Sequence, residues 1–455
     1  MKNLTLKNIA EACNGKYIGT EKMENQEVTC IFTDSRKAEA GGLFVPIKGA
    51  RVDAHEFIEQ VMEKDVLATL SEKDLGERPF PYIIVESSLT AVKEIAEFYL
   101  KQLQIPVVGI TGSVGKTSTK EVIAAVLAQK YNTLKTQGNF NNELGLPLTI
   151  FRLRDEHEIA VLEMGISDFG EMHRLAKIAR PDTCVITNIG LCHLEFLKSR
   201  DGILKAKTEI FDYLQPENHI ILNGDDDKLV TVQEAKGVKP VFFGVENHQG
   251  IWADEIKPEG LKGVSCRIHA GEESFSVLIP VPGKHSVYNA LAATAVGLTY
   301  GLTIEEIRKG IESLQAVSGR FHIIEASEYT VIDDCYNANP VSMKASLDVL
   351  TDALGRKVAV LGDMGELGAD EIKMHQEVGK YAADKEIDVL LCVGKLSEEM
   401  AKAAAEENTK TQVRHFVNKE ELMQELPAIL QKGDTVLVKA SHFMQFEKLV
   451  ESLIK

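Results

Sequence analysis

Apolar positions along the chain follow two periods. In short segments they run together, as in VVGIT (107–111), EIAVLE (158–163), TCVIT (183–187) and HIILN (219–223). Between these segments they recur at three- and four-residue spacing, as with Val122, Ile123, Val126 and Leu127. The first pattern predicts buried strands and the second predicts helices laid over them. Their alternation from about residue 105 predicts a mainly parallel sheet covered by helices. GVSCRIHAGEESFSVLIPVPG (263–283) breaks the rhythm and predicts an antiparallel passage. HSVYNALAATAVGLTYG (285–301) is apolar nearly all round, which predicts a buried helix.

The alternation restarts after AVSGRF (316–321). KVAVLGDMG (357–365), DVLLCVG (388–394) and DTVLVKAS (434–441) predict strands. KMHQEVGKYAADK (373–385), SEEMAKAAAEEN (397–408) and QFEKLVESLIK (445–455) predict helices. Ahead of all this, LTLK (4–7) and VTCIFTDS (28–35) carry strand signals, and GGLFVPIKG (41–49) a turn–strand–turn. AHEFIEQVMEKD (54–65) and LTAVKEIAEFYLKQL (89–103) carry helix signals. The expected fold class is α/β in three domains. Residues 1–103 form a small N-terminal α/β domain, 104–316 a central P-loop-type domain, and 317–455 a Rossmann-like α/β domain.

Composition narrows the function. A chain of 455 residues exceeds one ordinary core. A net charge of −17 argues against a general nucleic-acid or membrane-surface binder, but allows a local positive pocket. The seven cysteines are scattered without a Cys-x-x-Cys, so neither a zinc site nor a disulfide framework is expected. The N-terminus has no apolar leader and no run approaches the length of a membrane span, so a cytoplasmic protein is expected. No internal repeat or low-complexity tract is present.

The chemistry concentrates at VVGITGSVGKTSTKEV (107–122). A buried strand ends at a glycine-rich corner and a helix starts. Thr111, Gly112, Ser113, Val114, Gly115, Lys116, Thr117 and Ser118 make the corner. Glycines let backbone N–H groups turn inward on a phosphate, and the helix adds its positive N-terminus. Lys116 is placed to reach β/γ oxygens and the Thr117 hydroxyl to meet Mg²⁺. The strict P-loop spacing fails by one residue: Ile110 stands where glycine is required, and the glycine is Gly109.

This variant loop, G-x-T-G-x-x-G-K-T, resembles that of the Mur ligases, the ATP-dependent amide ligases of peptidoglycan synthesis. Folylpolyglutamate and cyanophycin synthetases are their relatives. GNFNNELGLPLTI (138–150), EMGISDFGEM (163–172) and DCYNANPVSM (334–343) resemble the branch that adds D-Ala-D-Ala to UDP-MurNAc-tripeptide. The likeness runs nearly end to end. It implies ATP as co-substrate, two Mg²⁺ ions, an acyl-phosphate intermediate and a monomer. It also implies that the first domain holds the UDP moiety.

The resemblance assigns further roles. Glu163, His193 and a carbamylated Lys207 join Thr117 as metal ligands; a carbamate offers the anionic oxygen that magnesium prefers. From the residues alone, Glu163 is a strand-end carboxylate, His193 a loop histidine, and Lys207 one lysine on a polar helix with Lys205 close by. Asn289, Arg320 and Asp334 are implied nucleotide contacts. Asn289 also reads as a satisfied buried amide, and Asp333 competes with Asp334 for the ribose. Ser35 and Arg36 are implied contacts to uridine or diphosphate and equally suit a surface turn. Asn139, Asn141 and Asn142 are implied to line the nucleotide-peptide site, and asparagines also simply make turns. GDMGEL (362–367) suits an amine site or a turn. VDAHEF (52–57) departs from the family's D-G-H. KASHFMQFE (439–447) carries Ala440 and His442 where the family often has glycine and arginine, which puts C-terminal substrate contacts in doubt. The rival activities are a diaminopimelate-adding or folate-type ligase of the same superfamily, and a nucleotide-gated binding protein that no longer ligates.

Overall fold

The computed structural model describes residues 1–49, 52–315, 318–407 and 410–454. The expected boundary at 316/317 lies outside them. Among the described residues the strands gather into three sheets. The first contains β1 (Lys16–Ile18), β2 (Ile31–Phe32), β3 (Leu43–Phe44), β4 (Ala68–Ser71) and β5 (Tyr82–Ile84), in the order β1-β5-β4-β3-β2. The β1–β5 pair is antiparallel and the other pairs are parallel.

The LTLK segment departs from expectation. Thr5 accepts a hydrogen bond from Asn8 N at 3.1 Å and starts the helix Leu6–Ala12. A threonine at this position satisfies an orphan N–H of the first turn, and Leu4 and Leu6 are buried all the same. In AHEFIEQVMEKD, Asp53 caps a 3₁₀ turn (Ala54–Phe57) before the helix proper, Ile58–Met62.

The second sheet holds β6 (Val107–Thr111), β7 (Thr133–Lys135), β8 (Ile159–Glu163), β9 (Thr183–Ile186), β10 (His219–Asn223), β11 (Val241–Gly244), β12 (Ile251–Pro258), β13 (Val264–Ala270) and β14 (Glu273–Ile279). Their order is β14-β13-β12-β11-β10-β9-β6-β8-β7. Pairing is parallel from β7 to β12 and antiparallel through β13 and β14, the passage that breaks the sequence rhythm. Val108 and Ile110 face a core shared with the helices Lys116–Leu127 and His285–Thr299. Val107 faces a second core, which runs without a break into the first sheet through the helix Ser88–Leu103. On that helix the Tyr99 hydroxyl donates to Leu153 O at 2.8 Å. Both faces of the sheet are therefore covered, and each fully buried Ile or Leu contributes about 1.5–3 kcal/mol.

The third sheet holds β15 (His322–Glu325), β16 (Thr330–Asp333), β17 (Lys357–Gly362), β18 (Val389–Val393), β19 (Gln412–Phe416) and β20 (Thr435–Lys439), in the order β15-β16-β20-β17-β18-β19. The edge strands β15 and β19 are only half-buried and lack an apolar run, so the sequence pattern does not announce them. Asp333 ties the entering chain to this sheet, accepting from Gly319 N at 2.7 Å and Ser318 Oγ at 3.3 Å. No helix among the described residues is long and apolar enough to cross a membrane.

Candidate active site

Strand β6 lies between β8 and β9, and Ile110 is in register with both Glu163 and Val185. The corner after β6 thus opens where three parallel strands end, the usual ligand position in such sheets. Residues from β9 onward shape it. Ser113 N donates to Asn188 O and Val114 N to Asn188 Oδ1, both at 3.0 Å. Val114 O accepts from Thr187 Oγ1 at 2.7 Å and from Asn188 Nδ2 at 2.9 Å. Gly190 N donates to Ser113 Oγ at 2.9 Å. The N–H groups of Gly115, Lys116 and Thr117 have no partner among the described residues. They open the helix Lys116–Leu127, where free donors and the helix dipole favour an anion.

Two glycines are fixed by this geometry. Gly112 has φ +148°, and a Cβ there would lie 1.9 Å from Thr187 Oγ1. Gly109 serves packing instead: a Cβ would meet Pro181 at 2.9 Å and Met164 at 3.0 Å. The displaced glycine of the motif therefore accommodates a neighbouring loop, and the corner begins only at Gly112.

The side chains converge on the corner. Lys116 Nζ donates to Gly112 O at 2.8 Å. Thr117 Oγ1 donates to Glu163 Oε1 at 3.2 Å and receives Arg320 Nη2 at 3.4 Å. Arg320 also stacks over Tyr336, 4.1 Å from the ring centre. Asn141 Nδ2 reaches Glu163 Oε1 at 2.8 Å. Asn289 accepts from Thr119 Oγ1 at 2.8 Å. Glu163 is 2% exposed, and its Oε2 has no hydrogen-bond partner among the described residues. Beside the corner, Thr117, Ser118, Val122, Ile279, Asn289 and Arg320 border a shallow, partly apolar cleft open to solvent. Thr111 is fully buried, with no hydrogen-bond partner for its hydroxyl among the described residues.

Lys207 is 1% exposed on the helix Arg200–Thr208 and makes no hydrogen bond or ion pair among the described residues. Burial, reinforced by the charge of Lys116, pulls its pKa down to about 7. The bland reading of Lys207 as a solvated helix lysine does not fit this burial. His193, at φ +51°, turns toward the third sheet. Its Nδ1 lies 2.9 Å from Glu366 Oε2, close enough for an ion pair but off the hydrogen-bonding direction.

Other expected residues lie elsewhere or serve structural ends. Asp334 is 3% exposed and pairs with Lys439 Nζ at 2.5 Å, while Ser346 Oγ donates to the same carboxylate at 2.7 Å. Asn142 accepts from Leu144 N and Gly145 N and starts the helix Gly145–Ile150, the turn-forming use. Asn139 is exposed beside Tyr336. Ser35 and Arg36 occupy a 3₁₀ turn, where Arg36 grips Asp34 and neither side chain contacts the corner. His442 pairs with Glu447 at 3.2 Å and lies 5.4 Å from the Tyr336 ring, in the layer that holds Arg320.

The sequence reading missed Lys120, Asn188 and Lys439. Lys120 is 1% exposed and donates to Thr136 O at 2.8 Å, with Glu163 Oε2 3.8 Å away. Its position three and seven residues before Ile123 and Leu127, on the apolar stripe, was an available signal. Asn188 had none, because it acts through a loop that only the fold brings near.

Comparisons agree with this geometry. Residues 110–297 match the Mur ligase middle domain, and 319–442 match the Mur ligase, glutamate ligase domain. The UDP-N-acetylmuramoyl-tripeptide–D-alanyl-D-alanine ligase of Bacillus subtilis is 40% identical, over 99% of this chain and 98% of its own. The Escherichia coli ligase of the same name is 36% identical over 100% of this chain and 99% of its own. A crystal structure of MurF from Acinetobacter baumannii superposes with a TM-score of 0.90 at 34% identity, covering 99% of this chain and 98% of that one. The Thermotoga maritima MurF in complex with ADP gives 0.82 at 30%, covering 93% and 96%. Folylpolyglutamate synthase of Mycobacterium tuberculosis, at 15% identity and 0.62, shares the fold alone. With both family domains in place, and full-length relatives at this identity, the chain belongs to the Mur ligase family.

Proposed function

We propose that this enzyme joins D-Ala-D-Ala to UDP-MurNAc-tripeptide at the expense of ATP, forming UDP-MurNAc-pentapeptide, ADP and phosphate. The full-length identity to ligases of that name carries the reading, and the corner supplies its chemistry. A carboxylate does not accept an amine at neutral pH because its oxygen is a poor leaving group. Transfer of the γ-phosphoryl group to that oxygen gives an acyl phosphate. The donor amine then attacks the carbonyl carbon, phosphate departs, and the amide remains. Positioning and charge neutralisation carry most of such a rate.

The free N–H groups of Gly115, Lys116 and Thr117 cradle the phosphates. Lys116 exchanges its contact with Gly112 O for a phosphoryl oxygen. Arg320 closes from the third domain, and Tyr336 holds its guanidinium plane. Asn289 borders the cleft that suits the adenosine. With its carboxylate held by Lys439, Asp334 acts at the ribose through the loop it anchors, or exchanges partners on closure. Asn139 and Asn141 face the peptide end of the acceptor, and Ser35 and Arg36 its uridine diphosphate.

Glu163 Oε2, which has no hydrogen bond among the described residues and only Lys120 Nζ at 3.8 Å, and His193 Nδ1, which faces Glu366, suit a hard cation. Thr117, Glu163, His193 and a carbamylated Lys207 would hold Mg²⁺, which supplies charge neutralisation at the transferred phosphoryl group. Lys207 suits carbamylation because an amine with a pKa of about 7 is about half neutral at pH 7, and the neutral amine is the nucleophile. The enzyme is read as a cytoplasmic monomer.

The test is phosphate release from ATP with UDP-MurNAc-tripeptide, with and without D-Ala-D-Ala. Sustained release only with all three substrates supports the reading. Release that ignores the dipeptide, or none at all, would sink it.

A further inference from the structure

One buried cation takes no part in the chemistry above. Lys120 stands on the helix Lys116–Leu127, one turn after Thr117, and is 1% exposed. A leucine or methionine would fill the same apolar stripe without taking a charge out of water, which is costly unless partners offset it. The ammonium has three neighbours. It donates to Thr136 O at 2.8 Å, lies 3.0 Å from Glu121 Oε1 and stands 3.8 Å from Glu163 Oε2. Thr136 follows β7 and is fully buried. Its Oγ1 accepts from Glu163 N and its own N donates to Val161 O, both at 3.0 Å. Lys120 thus grips the place where β7 and β8 end together, and Glu163 is the last residue of β8.

The two carboxylates differ in what else they have. Glu121 is also paired with Lys135, which is exposed to solvent. For Glu163, Lys120 is the one cation within 4 Å among the described residues. The other Glu163 oxygen takes two neutral donors, Thr117 Oγ1 and Asn141 Nδ2. Neutral donors orient a carboxylate but do not cancel its charge. Without Lys120, Glu121 would keep a partner, while Glu163 would be buried with none.

We propose that Lys120 is a positioning residue for Glu163: its ammonium holds the carboxylate in place from behind while no divalent cation is bound, so that the site is formed before the cation enters. This rests on the reading of Glu163 as a metal ligand given above.

The test is a double-mutant cycle on the full-length protein without metal or nucleotide, read as the thermal midpoint. Lys120→Met keeps an apolar stem and removes the charge. It is expected to lower the midpoint by roughly 5 °C or more, the scale of breaking a buried pair. In a Glu163→Gln background the same change should cost less than half as much, because no buried anion is left behind. If Lys120→Met alone does not fold, the double variant is still expected to fold. Magnesium chloride without nucleotide should raise the midpoint of Lys120→Met by more than that of the wild type, since the added cation meets the stranded carboxylate. A lysine that only packs would leave the two magnesium shifts equal. Equal costs in both backgrounds, equal magnesium shifts, or a double variant that also fails to fold overturns the assignment. So does a cost that disappears with Glu121→Gln but not with Glu163→Gln, which would make Lys120 the partner of its neighbour alone. Coupling in the cycle with no response to magnesium in either protein overturns the metal reading of Glu163, and the place-holding role with it, while the ion pair itself stands.

Discussion

The phosphate corner and the turn at Asp34–Lys37 are both short polar loops at strand ends, but they are held in opposite ways. At the corner, the partners are distant in sequence. Asn188 is 74 residues from Val114, Asn289 is 170 from Thr119 and Arg320 is 203 from Thr117. At the turn the bonding is local. Asp34 accepts from Arg36 N, Nε and Nη2 at 2.8–3.0 Å, and the Arg36 side chain is 88% exposed. The corner's shape is a property of the whole central domain, whereas the turn would hold much the same shape on any scaffold. Damage at the corner should therefore stop the chemistry, while damage at the turn should loosen one ligand and leave the rest.

The largest effect is expected from Lys116→Ala. It removes the one cation that rises from the corner itself, and removing a preorganised partner of developing charge costs roughly 10²–10³-fold in rate. Steady-state ligation and trapped acyl phosphate should fall together, with the denaturation midpoint little changed. Normal ADP formation in this variant would break the contrast at its stronger side. Gly112→Ala comes next. Its Cβ would sit 1.9 Å from Thr187 Oγ1 on a backbone at φ +148°. Overpacking and strain of this kind cost about 1–3 kcal/mol, and the loop must move out of the shape that leaves its N–H groups free. A lowered urea midpoint with much weakened ATP binding is the expected pair of results.

How legible each region was follows from the same difference. The corner was readable because strand, glycines, lysine and helix are contiguous, and Val107 to Leu127 carries both periods in order. The three-sheet architecture was readable wherever apolar runs were strong, as at β6, β8, β17 and β18. It was not at LTLK, where one capping bond at Thr5 decided for helix, nor at the half-buried edges β15 and β19. Asn188 stayed invisible because its meaning is positional: it matters through the corner that the fold brings opposite it. The burial of Lys207 is of this kind too, since spacing alone made it an ordinary helix lysine.

Lys207 gives a middle-sized effect with a definite sign. The folded protein holds this amine near pH 7, against 10.5 for an ordinary lysine. Between those values the unfolded chain binds a proton that the folded one does not, so stability rises with pH across that window. Denaturant midpoints in CO₂-free buffer should therefore climb from pH 7 to 10, and Lys207→Met should flatten the climb. Lys207→Ala should also lose ligation, with partial recovery in bicarbonate or small carboxylic acids. Full activity without either would rule out a role for the carbamate.

The smallest effect is expected from Arg36→Ala, and it tests the comparison at its weaker side. Arg36 holds Asp34 at a pKa of about 2, well below the ordinary 3.8, so its contribution is present above pH 4 and lost only as pH falls toward 2. At neutral pH an exposed pair of this kind contributes little, and the thermal midpoint should move by no more than about 2 °C. If Arg36 also leaves Asp34 to grip a diphosphate, the KM for UDP-MurNAc-tripeptide should rise by roughly tenfold, the worth of a single charge-assisted hydrogen bond. KM for ATP and for D-Ala-D-Ala should not change, because no bond links the turn to the corner. A parallel rise in all three constants would mean that the turn is wired into the catalytic domain after all, through the continuous core that joins the first sheet to the second.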